Sequence, residues 1–144
     1  MSKVRQILVL MLIAFAAQAF GEISPLATNL ADANWSPPGD GSISPAGTRT
    51  APLATDEATG GITYYAHFPA GGHFDLHWHT YDEYAVVVSD SLTIRLDGKD
   101  QVLTAGAFVA IPGGAHHSWD IPPTGDAVIV VKRSGPPDFH FVNR

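Results

Sequence analysis

The chain contains no cysteine, and that absence excludes disulfides, thiolate metal sites and thiol nucleophiles. Charge is scarce: 15% of residues are charged against 45% apolar, a balance too apolar for a disordered chain. Basic residues are scarcer still, 8 Lys and Arg against 14 Asp and Glu. The resulting formal charge of −6 argues against a nucleic acid or an acidic membrane surface as partner. Beyond residue 19 no segment carries apolar residues at a helical period, so no amphipathic helix is expected. What is abundant is turn chemistry, with 14 Gly and 11 Pro in 144 residues. That length accommodates one domain and one core.

The long hydrophobic run lies at the N-terminus. Lys3 and Arg5 precede the apolar stretch Ile7 to Ala17, and Ala17-Gln18-Ala19 is a small-x-small cleavage site. Residues 1–19 are therefore expected to be a cleaved signal peptide, with the mature chain starting at Phe20 and exported to the periplasm or secreted. The run is short for a membrane span, although an uncleaved anchor is the alternative. Loss of Lys3 and Arg5 leaves 6 of the 8 basic residues against 14 acidic ones, a formal charge of −8. A cysteine-free chain in an oxidising compartment must draw its stability from core packing or from a metal.

Residues 20–58 read as an irregular arm rich in Pro and Gly, with Ser36-Pro37-Pro38-Gly39-Asp40-Gly41 unable to form helix or regular strand and Trp35 as its anchor. From residue 59 to 144 short apolar runs alternate with turn signals. Ile62–Phe68 ends at Pro69-Ala70-Gly71-Gly72, and Phe74–Val88 is one long extended stretch or two strands. Ser89-Asp90 and Asp97-Gly98 are turns on either side of Leu92–Leu96. Gln101–Leu103, Ala107–Ile111, His117–Ile121 and Val128–Lys132 follow, and Phe139–Val142 is placed to pack back on the body. Seven or more short strands at regular spacing predict an all-β sandwich or barrel.

His77, His79 and Glu83 share odd parity, so an unbulged strand would point all three to one face, together with Asp75, Ala85 and Val87. Two imidazoles and a carboxylate offer nitrogen and oxygen donors to a first-row divalent ion such as Fe, Mn, Ni, Zn or Cu. A further donor can come from His116 or His117, which follow the chain reversal at Pro112-Gly113-Gly114.

Gly71, His77, His79 and Glu83 follow the spacing G-x5-H-x-H-x3-E, and Gly106, Pro112, Gly114 and His117 follow G-x5-P-x-G-x2-H. In that order on an all-β background, the two motifs resemble those of the cupins over roughly residues 60–133. The resemblance implies a single small jelly-roll β-barrel with one metal inside, held by His77, His79, Glu83 and His117. Two positions depart from the usual pattern: Asp90 stands where a glycine is common, and Ile121 where an Asn is common. Within the cupins the chain is most similar to small exported bacterial proteins, through His77-Trp78-His79-Thr80-Tyr81-Asp82 and the Gly135-Pro136-Pro137-Asp138 tail.

Around such a metal, Tyr65, His67, His73, Asp75 and Phe108 are the pocket candidates, with Trp78, Tyr84 and Trp119 reserved for packing or dimer contacts. Three neutral histidines and one carboxylate leave a site holding a divalent ion with net positive charge, which favours a small anionic ligand. Open coordination positions would then admit substrate, water or dioxygen. The leading expectation is a dioxygenase-like enzyme acting on a small acid or phenol, with Glu83 as the catalytic base. The alternatives are a Lewis-acid isomerase or lyase on a sugar or carboxylic acid, and a non-catalytic ligand- or metal-binding cupin. A homodimer is expected for a small domain without disulfides.

Overall fold

In the computed structural model, residues 24–143 are described; residues 1–19, expected from the sequence to be a signal peptide, lie outside them. Ten strands follow one short helical turn at Leu30–Asp32. They are β1 (Arg49–Asp56), β2 (Gly61–Phe68), β3 (His73–Trp78), β4 (Glu83–Ser89), β5 (Ser91–Leu96), β6 (Lys99–Thr104), β7 (Phe108–Ile111), β8 (His117–Asp120), β9 (Ala127–Arg133) and β10 (His140–Phe141). Alternation decides which side each strand buries. In β5, Leu92 and Ile94 turn inward while Thr93 and Arg95 face out; in β9, Ala127, Ile129, Val131 and Arg133 are all buried.

The strands form two five-stranded antiparallel sheets, ordered β1-β2-β9-β4-β7 and β10-β3-β8-β5-β6. Their inner faces close over a core of Phe68, Phe74, Leu92, Ile94, Ile111, Trp119 and Ile129. Burying each such side chain stabilises the fold by about 1.5–3 kcal/mol, which takes the place of the missing disulfides. The expected all-β jelly-roll barrel is the observed architecture.

Turn chemistry accounts for the connections. Asp97 and Gly98 both have positive φ, 50° and 70°, as a two-residue hairpin between β5 and β6 requires. Asp90 also has positive φ, 58°. It therefore occupies the left-handed position that a glycine often fills, a conformation Asp tolerates. Ile121 is buried in the core, so the second departure from the motif is a packing substitution.

Two features differ from the sequence expectation. First, β1 runs through the end of the segment read as an irregular arm. Pro52 obscures it, but β1 is an edge strand and its register shifts between Pro52 and Ala54, where a missing N–H is tolerated. Second, Phe74–Val88 is two strands, one of the two readings left open, but they lie in opposite sheets and so do not share a strand face. A register shift between Phe74 and His77 also breaks the parity of β3. Phe74 and His77 are both buried, and the Asp75 side chain is about half exposed rather than sharing the inward face.

Candidate metal centre

Two cross-strand pairs, one from each sheet, meet in the interior of the barrel. His77 of β3 stands opposite His117 of β8, and Glu83 of β4 stands opposite Arg133 of β9. His79 lies just past the end of β3. The Pro112-Gly113-Gly114 turn holds the loop that carries it: Gly113 N–H donates to the Asp82 carboxylate at 2.8 Å, and Gly114 N–H donates to the His79 carbonyl at 2.8 Å. Gly114 has φ of +81°, and a Cβ on Gly113 would sit 2.5 Å from the Thr80 carbonyl oxygen. The two glycines thus lock the second motif against the first.

His77, His79, Glu83, His117 and Arg133 are all at least 96% buried, with relative exposures of 1%, 3%, 4%, 0% and 3%. Among the described residues, His77, His79 and His117 form the one group whose ligand atoms fit a metal ion, all within 4.8 Å of one another. Each imidazole is oriented by a main-chain carbonyl. Nδ1 of His77 donates to Asp75 at 2.6 Å, Nδ1 of His79 to Asp138 at 2.6 Å, and Nδ1 of His117 to Ala115 at 3.0 Å. A carbonyl only accepts, so the proton of each neutral ring sits on Nδ1 and the lone pair on Nε2. Nε2 of His79 and of His117 is buried with no hydrogen-bond partner.

Electrostatics keep these rings neutral. Burial pushes His77 and His79 down to about 3, reinforced by His117 for the first and Arg133 for the second. Burial likewise lowers His117 to about 4. Burial raises Glu83, and the Arg133 guanidinium opposes that rise. Glu83 Oε2 lies 2.8 Å from Arg133 Nη2 and 3.3 Å from His79 Nε2. A carboxylate oxygen facing an imidazole lone pair is repulsive unless a cation lies between them. Two donors each about 2.0–2.2 Å from one ion are separated by about 3 Å when adjacent in its coordination shell. The residues present therefore fit a divalent metal.

The wall of the centre is aromatic. Phe74 stacks on His77 with centroids 4.3 Å apart, Phe139 meets the His79 ring edge-on at 5.0 Å, and Arg133 Cζ lies 5.2 Å from the Phe139 centroid. Tyr64 packs against the core with its hydroxyl in the field of Arg133 and Glu83; burial raises its pKa and Arg133 opposes the rise. Phe139 arrives on a C-terminal strap. The Asp138 carboxylate accepts from Thr80 N–H at 3.0 Å and pairs with His140 at 3.0 Å, His140 stacks on Trp78, and β10 pairs with β3.

The other sequence candidates stand apart from this cluster. His116 is exposed while its neighbour His117 is fully buried. Tyr65 and His67 face outward from β2: both lie against Trp35 of the arm, and His67 pairs with Asp126 at 3.0 Å. His73 sits half exposed between Asp120 at 2.6 Å and Asp75 at 3.6 Å. Phe108 is 63% exposed on the edge strand β7, stacked on Tyr84. Parity is the common reason, since the inward residues of β2 are Tyr64, Ala66 and Phe68. Sequence reasoning missed Arg133, Tyr64 and Phe139. Arg133 alone had a readable signal, because it continues the inward phase of Ala127, Ile129 and Val131.

The architecture and the converging histidines define a jelly-roll barrel with a metal-type centre inside it. Residues 64–131 match the family described as Cupin domain, and this barrel is a cupin domain. A cupin-like protein from Thermotoga maritima superposes with TM-score 0.65 at 19% identity, over 73% of this chain and 83% of that one. A cupin-2 domain protein from Rhodospirillum rubrum gives TM-score 0.67 at 12% identity, over 83% and 81%. A polyketide cyclase from Streptomyces resistomycificus gives 0.65 at 18%, over 84% and 87%. At these identities the likeness is one of fold. No curated protein matches the sequence.

Proposed function

We propose that this protein is an exported, metal-dependent cupin enzyme of dioxygenase-like type. It holds one divalent transition metal through His77, His79, Glu83 and His117 and acts on a small acid or phenol. The observation that carries the reading is the set of three Nδ1 atoms tied to carbonyls, with the Nε2 atoms of His79 and His117 buried and unpartnered. When bound, the metal supplies Lewis acidity and, for a redox-active ion, a route to dioxygen chemistry. The histidines hold it in the neutral state that coordination requires. Glu83 supplies the carboxylate beside it and the acceptor for a substrate proton. Phe74 and Phe139 exclude water. Arg133 adds a positive charge that favours an anionic ligand.

A non-catalytic ligand- or metal-binding cupin is the second reading, and the aromatic strap favours it, because Phe139 covers the histidines. Metal analysis of protein purified from the periplasm, followed by an oxygen-uptake screen with small acids and phenols, separates the two. Stoichiometric metal with uptake supports the enzyme. Stoichiometric metal with tight anion binding and no turnover supports the binding protein. A metal-free protein that also fails to take up added Fe²⁺, Mn²⁺ or Zn²⁺ defeats both. N-terminal sequencing of the exported protein tests cleavage before Phe20.

A further inference from the structure

Arg133 is 3% exposed, yet it is incompletely satisfied. Nη2 is bonded to Glu83 at 2.8 Å, while Nε and Nη1 are buried with no hydrogen-bond partner. A buried N–H without an acceptor costs about 1–3 kcal/mol, and more when the group is charged. Such a group persists where something else supplies the acceptor. Its position says what: Arg133 stands opposite Glu83, whose Oε2 is 3.3 Å from His79 Nε2, so the guanidinium borders the histidine cluster directly.

We propose that Arg133 is the specificity-determining residue of the site and receives the carboxylate of a small monocarboxylate ligand through its unpartnered N–H groups. This deepens the reading of the centre as a small-molecule site and rests on it. Three features select the chemistry. A guanidinium forks through Nε with Nη2 or through Nη1 with Nη2, so either unpartnered nitrogen, with the N–H of Nη2 that Glu83 leaves free, matches the two coplanar oxygens of a carboxylate. Arg133 Cζ lies over the Phe139 ring, 5.2 Å from its centroid, so the ring closes that side of the guanidinium to an acceptor. Glu83 cannot serve the metal and neutralise Arg133 in full at the same time, and an anionic ligand restores the balance. Tyr64, whose hydroxyl is in hydrogen-bonding contact with the Arg133 side chain and in the field of Glu83, adds a polar group to the same wall.

The test uses the full-length mature protein with Mn²⁺ added, and calorimetric titration with glycolate, its neutral amide glycolamide, and inorganic phosphate. Wild type is expected to bind glycolate about tenfold or more tightly than glycolamide, as a charge-assisted contact implies. Arg133→Lys keeps the positive charge beside Glu83 but loses the planar fork. It is expected to fold, to keep its Mn²⁺ and to lose most of that preference. Arg133→Gln is expected to lose it all; if it unfolds, the lysine variant decides. An unchanged preference in Arg133→Lys overturns the proposal, as does Mn²⁺ binding without glycolate binding. Phosphate bound in preference to glycolate overturns the carboxylate assignment. Failure of wild type to bind any metal defeats the proposed function instead. The metal-free titration then decides for Arg133: Arg133-dependent glycolate binding upholds its role, and none overturns it.

Discussion

The main-chain carbonyl of Asp138 accepts the Nδ1 proton of His79 at 2.6 Å, so the C-terminal strap sets the orientation of an imidazole that precedes it by most of the domain. The Asp138 side chain secures that carbonyl through Thr80 N–H and His140, and its pKa falls to about 2: burial acts to raise it, and the bonds from Thr80 and His140 outweigh that. Asp138→Ala is expected to release the strap and weaken metal binding about 10–100-fold, the usual effect of losing an orienting partner. Competitive titration with a chromophoric chelator measures it. Unchanged affinity would show that the strap does not support the centre.

The histidines themselves are tested by His77→Ala combined with His79→Ala, which removes two of the three clustered nitrogen donors. Metal binding is expected to vanish, as read by elemental analysis after dialysis. Full occupancy in that variant would place the metal elsewhere.

The pH dependence follows from the three depressed imidazoles. In the unfolded chain each titrates near about 6.5. In the folded metal-free protein His77 and His79 stay neutral down to about 3, and His117 down to about 4. Between those limits the unfolded state binds more protons, so stability is complete above about pH 6.5 and falls as the pH drops towards 3–4. At pH 5 each histidine contributes a loss of up to about 2 kcal/mol. Urea midpoints of metal-free protein at pH 7.5 and pH 5 check this, and equal midpoints would contradict it. Protons compete for Nε2 only as the pH approaches those folded-state values, so metal occupancy is expected to hold through about pH 6 and to decline towards about pH 4.

The metal motifs were legible because coordination constrains both residue type and spacing, and because alternation is a local property. The shared parity of His77, His79 and Glu83 did select residues that meet, but not by lying on one strand: β3 and β4 belong to opposite sheets and the barrel interior joins them. The bulge in β3 was illegible, since no residue between Phe74 and His77 marks it, and it turned the Asp75 side chain away from the inward face. The pocket wall was illegible for a different reason. Which side chains surround a centre depends on which strands pair, and Arg133 reaches Glu83 through the β4–β9 register. The phase of Ala127, Ile129 and Val131 marks Arg133 as inward, but nothing local names Glu83 as its partner.

The outer surface carries its own test. Tyr84 and Phe108 stack at 6.3 Å on the outside of the first sheet, 38% and 63% exposed, with β7 at its edge. An exposed aromatic pair beside an open edge strand is the kind of surface that pairs two copies. A homodimer is expected by light scattering at tens of micromolar, and Phe108→Asp is expected to shift the mass to that of a monomer. A monomeric wild type would assign this surface no role in assembly.

The last prediction concerns Glu83, which pairs with Arg133 while both side chains are at most 5% exposed. Glu83→Gln keeps an oxygen beside His79 but leaves the guanidinium without its counter-charge. Breaking a buried pair in this way costs about 3–5 kcal/mol, so the variant is expected to unfold at lower urea than wild type. Glu83→Gln combined with Arg133→Gln removes both charges and is expected to recover much of that loss, a coupling readable from a double-mutant cycle. Metal is expected to remain bound to Glu83→Gln, weakly, through the amide oxygen. Turnover found in the oxygen-uptake screen is expected to fall about 10²–10⁴-fold at matched metal content, because an amide cannot accept the substrate proton. Equal turnover would remove Glu83 from the chemistry, and a double variant no more stable than the single one would remove the ion pair from the stability of the fold.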